Sequence, residues 1–579
     1  MLDLGRIAFS RVASTIILIS TGLMLTSPPL ARAAGNPCLR SALGSVVQDA
    51  IDLFSQNGVL TVNLSYNTGT DANGLTLYCF TTPDGSESPT LHVKPGDTLI
   101  VNVINNLPAP APSDDMKMTT SADTVCGDST MNSASVNIHY HGTNTPPTCH
   151  ADEVIHTLIN SGQSFTYTVP FPNDEPPGAY WYHPHVHGLS EMAVQGGASG
   201  AIIVDGIENV QPKVAGLTQR VLIIRDQPVP DSVQMANPKL MPPGWDLSLN
   251  YVPIPFPTYP PAIIQMDAKE KQFWRVVNAS ADTIINLQLR YDGRVQPLQV
   301  VALDGVPIGS QDGTRTGRAQ NRANIFLPPA ARAEFIVHGP SAKVRKAILY
   351  TLKVNTGPAG DSDPTRPLAS IQPMSNSTTA SSAAPSHRVT IPQVSRGPGP
   401  QRFEGLATAR VTARRTLYFS ETTPPDDEEP NFFITVVGQP PRLFNPNNPP
   451  AITTTQGSVE DWTIQNRSGE AHEFHIHQIH FLTLVRDGVP LPAAQRQYLD
   501  MVHLPFWPGH GPFPSVTVRM DFRGPDIGDF VYHCHILEHE DHGMMAIIRV
   551  NPATASNKRS TTPQKAASRE GVKLIKLSK

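Results

Sequence analysis

Eight of the 20 histidines in this 579-residue chain fall into four pairs separated by a single residue. They are His139 and His141 in NIHYHG, His183 and His185 in YHPHVHG, His475 and His477 in HEFHIHQIH, and His533 and His535 in YHCH. Filling eight named positions at this histidine frequency has a chance of about 10⁻¹², so the set needs a chemical reason. Side chains alternate between the faces of a β-strand, and residues i and i+2 share one face. Each pair on a strand therefore delivers two imidazoles to one place, which is how a β protein builds a metal site. Cys534 stands between His533 and His535 and would face the other way. Adjacent residues would then serve two separate sites joined by the backbone. A thiolate with two imidazoles and a distant thioether is the ligand set of a blue copper electron-transfer centre. His539 and Met544 follow Cys534 by five and ten residues, and His472, three residues before His475, offers the second imidazole. Imidazole-only coordination on the opposite face suits copper that reacts with O₂ or zinc, and the neighbouring thiolate favours copper.

Strands are required to present these groups, and the sequence supplies them in three similar blocks. The first, 45–208, contains the alternating stretch LHVKPGDTLIVNVINNLP; the second, 215–355, contains FWRVVNAS; the third, 405–552, contains DWTIQNRS. A gapless overlay of the last two matches Trp274 to Trp462, Asn278 to Asn466 and Ser280 to Ser468, an internal repeat. Short β-branched runs punctuated by glycine and proline predict an all-β chain of sandwiches. The Pro-, Ser- and Thr-rich stretch 356–404 predicts a flexible linker, and the basic segment 553–579 a disordered tail. Residues 1–33 have the basic start, apolar run and small-residue ending of a signal peptide. Export to the periplasm or the medium is expected, with no membrane anchor after cleavage. Cys38, Cys79, Cys126 and Cys149 are free to pair there in any of three ways. A net charge of −5 without a basic stripe before the tail excludes nucleic acid as a partner.

In the overlay, Ile284, Leu287 and Leu289 stand where the third block has His472, His475 and His477. The middle block cannot bind copper this way and is a spacer. Laying GAYWYHPHVHG over GDFVYHCHILE sets Pro184 opposite Cys534, so the first block offers cluster histidines and no blue site.

The four motifs, in this order and split between the first and last blocks, resemble those of the multicopper oxidases. That family includes laccases, copper-tolerance oxidases, ferroxidases and bilirubin oxidases. The resemblance covers nearly the whole mature chain and implies three consecutive cupredoxin-like Greek-key β-sandwich domains and four copper ions. It implies His472, Cys534, His539 and Met544 as ligands of the blue copper. His139 and His475 would hold the single copper of a trinuclear cluster, and His141, His183, His185, His477, His533 and His535 its coupled pair. Asp152 and Glu540 resemble the family's acidic residues beside the cluster. The implied reaction couples four one-electron oxidations of a phenol to reduction of O₂ to water, with Cu(I) or Fe(II) as the alternative reductant and a monomer as the acting unit. Met544, as an axial thioether, implies a lower potential than an apolar residue would. The 14 methionines form no Met-rich segment, which weighs against copper tolerance. A non-catalytic copper-binding array is the competing class, and the complete ligand set opposes it. Tyr140 and Glu473 depart from the usual tryptophan and proline. His187, His480 and His542 lie out of register with the pairs and are read as supporting or surface residues.

Overall fold

The computed structural model of the protein describes residues 36–110, 125–127, 129–309, 318–373, 388, 402–424 and 430–553. The expected signal peptide, nearly all of the tail and the middle of the expected linker lie outside these residues. Among these residues, strands pair into six sheets, two for each block. In the first block, Val59–Thr70, Thr76–Thr81, Thr98–Asn105 and Ser164–Pro170 form one sheet. Asp52–Phe54, Thr90–Val93, Gly200–Val204, Gly178–His183 and His139–His141 form the other. Leu60, Val62, Leu64 and Tyr66 are buried while the residues between them are more exposed, the alternation expected of a half-buried strand. Each such side chain stabilises the sandwich by about 1.5–3 kcal/mol of hydrophobic burial.

The repeat extends to atomic detail. In each block two strands pair in parallel: Val59–Thr70 with Thr98–Asn105, Thr218–Pro228 with Lys271–Asn278, and Ala413–Thr422 with Val459–Asn466. Trp274 donates Nε1–H to Gln272 Oε1 at 2.9 Å, and Trp462 donates to Glu460 Oε2 at 2.8 Å. Asn278 and Asn466 end their strands with the side-chain amide donating to backbone carbonyl oxygens, those of Thr283 and Leu327 and that of Glu470. Asn105 does the same in the first block, donating to Ala134 and Ile159, so the repeat is threefold. A buried asparagine suits this place because its amide satisfies two backbone acceptors where the strand pairing stops.

Two features were not foreseen. The expected linker 356–404 loses both ends: Arg366–Gln372 is a strand between Ala347–Thr351 and Ala262–Gln265, with Leu368 and Ala369 fully buried. Phe403 is also buried, its ring stacked on Tyr498. The Pro- and Ser-rich composition of the stretch hid a short apolar alternation, RPLASIQ. The cysteines pair as Cys38–Cys79 and Cys126–Cys149, leaving Cys534 as a buried free thiol among the described residues. Among those residues no helix is long and apolar enough to cross a membrane.

His92 is buried between Asp205, 3.1 Å from Nδ1, and Asp52, 3.3 Å from Nε2. Burial alone would lower its basicity, but the two carboxylates outweigh it and raise the pKa. This pairing therefore contributes its full stability below pH 6.5 and loses it as pH rises through the raised folded value. The melting temperature of His92→Gln is expected to fall less than that of the parent between pH 6 and pH 8.5; equal slopes would refute the linkage.

Candidate metal centre

Strand register brings the histidines together. His139 lies opposite His183 between His139–His141 and Gly178–His183, and His475 lies opposite His533 between His472–Ile476 and Gly528–Cys534. The two halves repeat in their side chains as well. His183 turns Nδ1 to the Pro184 carbonyl at 2.8 Å, and His533 turns Nδ1 to the Cys534 carbonyl at 2.8 Å. Facing one another, the first and third blocks enclose all eight paired histidines, each at most 1% exposed.

Nε2 of His185, His477 and His533 converge to 3.1–3.3 Å from one another. The rings of His141, His183 and His535 form a second group, with centroids 5.0 to 5.8 Å apart. His139 and His475 face each other at 6.1 Å. Second-atom contacts orient the rings: His139 Nδ1 meets Asp152 at 3.0 Å, and His475 Nδ1 meets the Asp500 carbonyl at 2.9 Å. Nε2 of His139, His183 and His475 and both ring nitrogens of His535 are then buried without a hydrogen-bond partner. So many orphaned acceptors would be costly in an apo core, and metal ions are what such nitrogens bind. Burial pushes these imidazoles toward the neutral form, the state that ligates.

His472 and His475, three residues apart on one strand, point to opposite faces, and so do Cys534 and its two flanking histidines. Cys534 Sγ lies 3.6 Å from Nδ1 of both His472 and His539, and these two nitrogens are 3.0 Å apart. The far nitrogens are anchored, His472 Nε2 by Ser468 Oγ at 2.6 Å and His539 Nε2 by Glu470 at 3.4 Å. The short helix Leu537–Asp541 returns the chain so that the fully buried Met544 accepts, through its carbonyl, the Cys534 N–H at 3.1 Å. Burial pushes the Cys534 thiol well above its usual range, so a thiolate here needs a cation bound to it. The trigonal sulfur and two nitrogens could hold copper in the blue geometry.

Asp152 and Glu540 reach the cluster from different sides. Asp152 accepts from the Tyr140 amide and from Gln478, and burial raises its pKa well above the carboxylate range, favouring the protonated form. Glu540 lies 3.0 Å from His533 Nδ1 and 3.5 Å from His185 Nδ1, with Ser190 Oγ donating at 3.3 Å. Burial opposes its ionisation, but His185 and His533 outweigh burial and hold it at about 2.

Every residue singled out from the sequence as a ligand or cluster acid lies in one of these two places. His480 instead reaches the Asp304 carbonyl at 2.8 Å, His542 the Glu538 carbonyl at 2.7 Å, and His187 packs on Phe444. Ile284, Leu287 and Leu289 are buried apolar groups, as a spacer block requires. Sequence reasoning missed Asp500, 3.5 Å from His141 Nε2, and Arg332 of the middle block, which holds both Asp500 oxygens at 2.7 and 2.6 Å. Neither carried a spacing signal, because the pair joins blocks distant in sequence. Gly142, with φ +81°, lets the chain pass: a Cβ would fall 2.3 Å from Arg332 Nη2 and 2.4 Å from Asp500 Oδ2. Gly142→Ala is expected to cost about 2–4 kcal/mol by disturbing this buried pair and straining the backbone, read from urea unfolding; a loss within 0.5 kcal/mol, about the scatter of surface substitutions, would contradict that account.

Paired sandwiches with a buried Cys-His₂ triangle beside an eight-histidine cluster define a class of copper protein. Family models described as multicopper oxidase match residues 112–209 and 420–554. The chain is 24% identical to a laccase of Bacillus subtilis over 522 residues, covering 79% of this chain and 87% of the relative. It is 25% identical over 473 residues to the multicopper oxidase mco of Staphylococcus haemolyticus, covering 80% and 81%. In fold it is similar to a variant of the McoA multicopper oxidase of Aquifex aeolicus, with TM-score 0.62, 20% identity and coverage of 88% and 99%. It is also similar to a multicopper oxidase of Campylobacter jejuni described as a metallo-oxidase, with TM-score 0.61, 21% identity and coverage of 89% and 97%. The chain belongs to the multicopper oxidase family, whose members are copper-dependent oxidoreductases.

Proposed function

We propose that the protein takes single electrons from a reductant near His539 and reduces O₂ at the eight-histidine cluster, using four electrons and four protons to form two waters. The observation that carries this reading is the His533–Cys534–His535 segment, whose neighbouring residues belong to two buried ligand groups. His472, Cys534, His539 and Met544 would hold a blue copper; His139 and His475 would hold one cluster copper, and His141, His183, His185, His477, His533 and His535 a coupled pair. Bound copper would supply the one-electron redox chemistry and the reduction of O₂. The covalent path from Cys534 through either flanking peptide is the short route between the sites. Asp152, protonated, and Glu540, 3.0 Å from Nδ1 of the cluster histidine His533, are placed to hold and move protons. The two disulfides support export to the periplasm or the medium, where the protein would act as a monomer.

An easily oxidised phenol remains one substrate class, but one observation favours a cation. His539 forms part of the wall of a cavity of about 330 Å³ that Asp282, Asp361, Glu421, Glu470 and Glu538 also line. Burial and the neighbouring Glu470 raise Glu421 to about 7. A metal ion such as Cu(I) or Fe(II) would displace protons there, so its apparent affinity should rise as pH passes upward through 7. The test is O₂ uptake by copper-loaded protein with 2,6-dimethoxyphenol, Cu(I) and Fe(II), compared with Glu421→Gln/Glu470→Gln. A rise in KM of tenfold or more for the metal ions only would support the cation reading; equal KM values would remove it. A blue band without O₂ uptake from any reductant would overturn the oxidase reading.

A further inference from the structure

On the reading that the eight-histidine cluster holds copper and reduces O₂, we propose that Arg332 is a positioning residue for that cluster, supplied by the middle block that offers no ligand. Its guanidinium fixes His141 and His475 through Asp500 and, with Glu334, holds the strand that ends in His183.

Arg332 is fully buried, and each nitrogen of its guanidinium reaches another block. Nε donates to the Ala179 carbonyl of the first block at 3.1 Å, while Nη1 and Nη2 hold the Asp500 carboxylate of the third. Asp500 in turn meets two of the histidines: its carbonyl faces His475 Nδ1 at 2.9 Å, and Oδ1 lies 3.5 Å from His141 Nε2. In the assignment above, His475 belongs to the single cluster copper and His141 to the coupled pair, so one guanidinium stands behind both. The residue after Asp500 is tied to the same place, because Asp304 of the middle block accepts the N–H of Arg332 at 2.9 Å and that of Met501 at 3.4 Å.

Glu334 follows Arg332 by two residues on the strand Arg332–His338, so the two side chains share a face. Its Oε2 accepts the Ala179 N–H at 3.0 Å, and Arg275 holds its other oxygen. Ala179 lies on Gly178–His183 just beyond the residues paired with His139–His141. Its N–H and carbonyl fall past the end of that pairing, and an acid and a base from the middle block satisfy them in place of a strand. A buried ion pair is a weak source of stability, since apolar side chains of similar volume often do as well; its best-attested use is to select one register. The strands held in register here are those that carry ligands. Lysine would keep the charge, but a point donor cannot grip both Asp500 oxygens and the Ala179 carbonyl as the planar fork does.

The experiment compares copper-loaded full-length parent, Arg332→Lys and Arg220→Lys. Arg220, whose fork holds Asp49 and the Val47 carbonyl across the boundary of the first two blocks, controls for the loss of a buried fork as such. Each protein is read by EPR of its bound copper and by the rate at which O₂ restores the blue band after bleaching by reductant under nitrogen. In Arg332→Lys we expect the parent's blue-copper signal and bleaching rate, but a changed hyperfine splitting of the cluster copper on His139 and His475. Its reoxidation should be slower by about tenfold or more, the size usual for a lost contact behind a metal ligand. Arg220→Lys should match the parent throughout. The parent's hyperfine splitting and reoxidation rate in Arg332→Lys would overturn the proposal, as would equal changes in Arg220→Lys. If Arg332→Lys does not fold, Arg332→Met/Asp500→Asn removes both charges of the pair together and is read in the same way; parent values there would also overturn it. A parent with neither a cluster-copper signal nor reoxidation by O₂ would overturn the cluster reading, and this proposal with it.

Discussion

Cys534→Ser is expected to abolish the blue absorption and to lower kcat with any reductant by more than about 10³-fold, over about 4 kcal/mol of barrier. The sulfur is one corner of a triangle with Nδ1 of His472 and His539, and serine cannot replace a thiolate as a soft ligand at those distances. It is also the origin of the covalent route to His533 and His535, whose rings lie in the cluster. The fold should survive, since sulfur and oxygen differ little in volume here and the Cys534 N–H stays with the Met544 carbonyl. Copper analysis should show one ion fewer per chain, with the cluster ions kept. A serine variant that retained even a tenth of parent O₂ uptake would overturn the electron-entry role of this residue.

Glu540→Gln should separate electron entry from O₂ reduction. Glutamine preserves the size and an acceptor oxygen for Ser190, whose partner is Oε1, but places an amide group at the Oε2 position beside His533 and cannot exchange a proton. The blue band and its bleaching by reductant under nitrogen should be unchanged. Recovery of the band on admitting O₂ should slow by about 10²–10⁴-fold, the range of a lost general acid–base. Asp152→Asn should slow the same phase, because it touches His139 on another side of the cluster. If reoxidation by O₂ in Glu540→Gln kept the parent rate, Glu540 would be a structural carboxylate and nothing more.

What could be read in the sequence was whatever depends on local periodicity. The i, i+2 spacing of the histidine pairs, the parity that separates His472 from His475 and Cys534 from His535, and the Trp and Asn repeat all follow from the two-residue period of a strand. Each pair meets a strand, but only His139 and His141 lie wholly within one; His185, His477 and His535 stand just past a strand's end, and the middle block fills the equivalent positions with Ile284, Leu287 and Leu289. The linker was misjudged at its ends because composition is a property of a window, whereas Arg366–Gln372 is made a strand by neighbours on both sides.

Contacts between segments far apart in the chain were decided only by tertiary structure. Arg332 and Asp500 are separated by 168 residues, and no pattern in either segment predicts that they meet beside His141. The carboxylates lining the cavity at His539 come from the second block, the stretch after it and the third block, so its charge is a sum over chain segments. By itself the sequence determined which residues can serve as ligands and which faces they share, because those follow from chain geometry. The folded chain decided what surrounds those ligands, because burial, charge and hydrogen bonding arise only where distant segments pack.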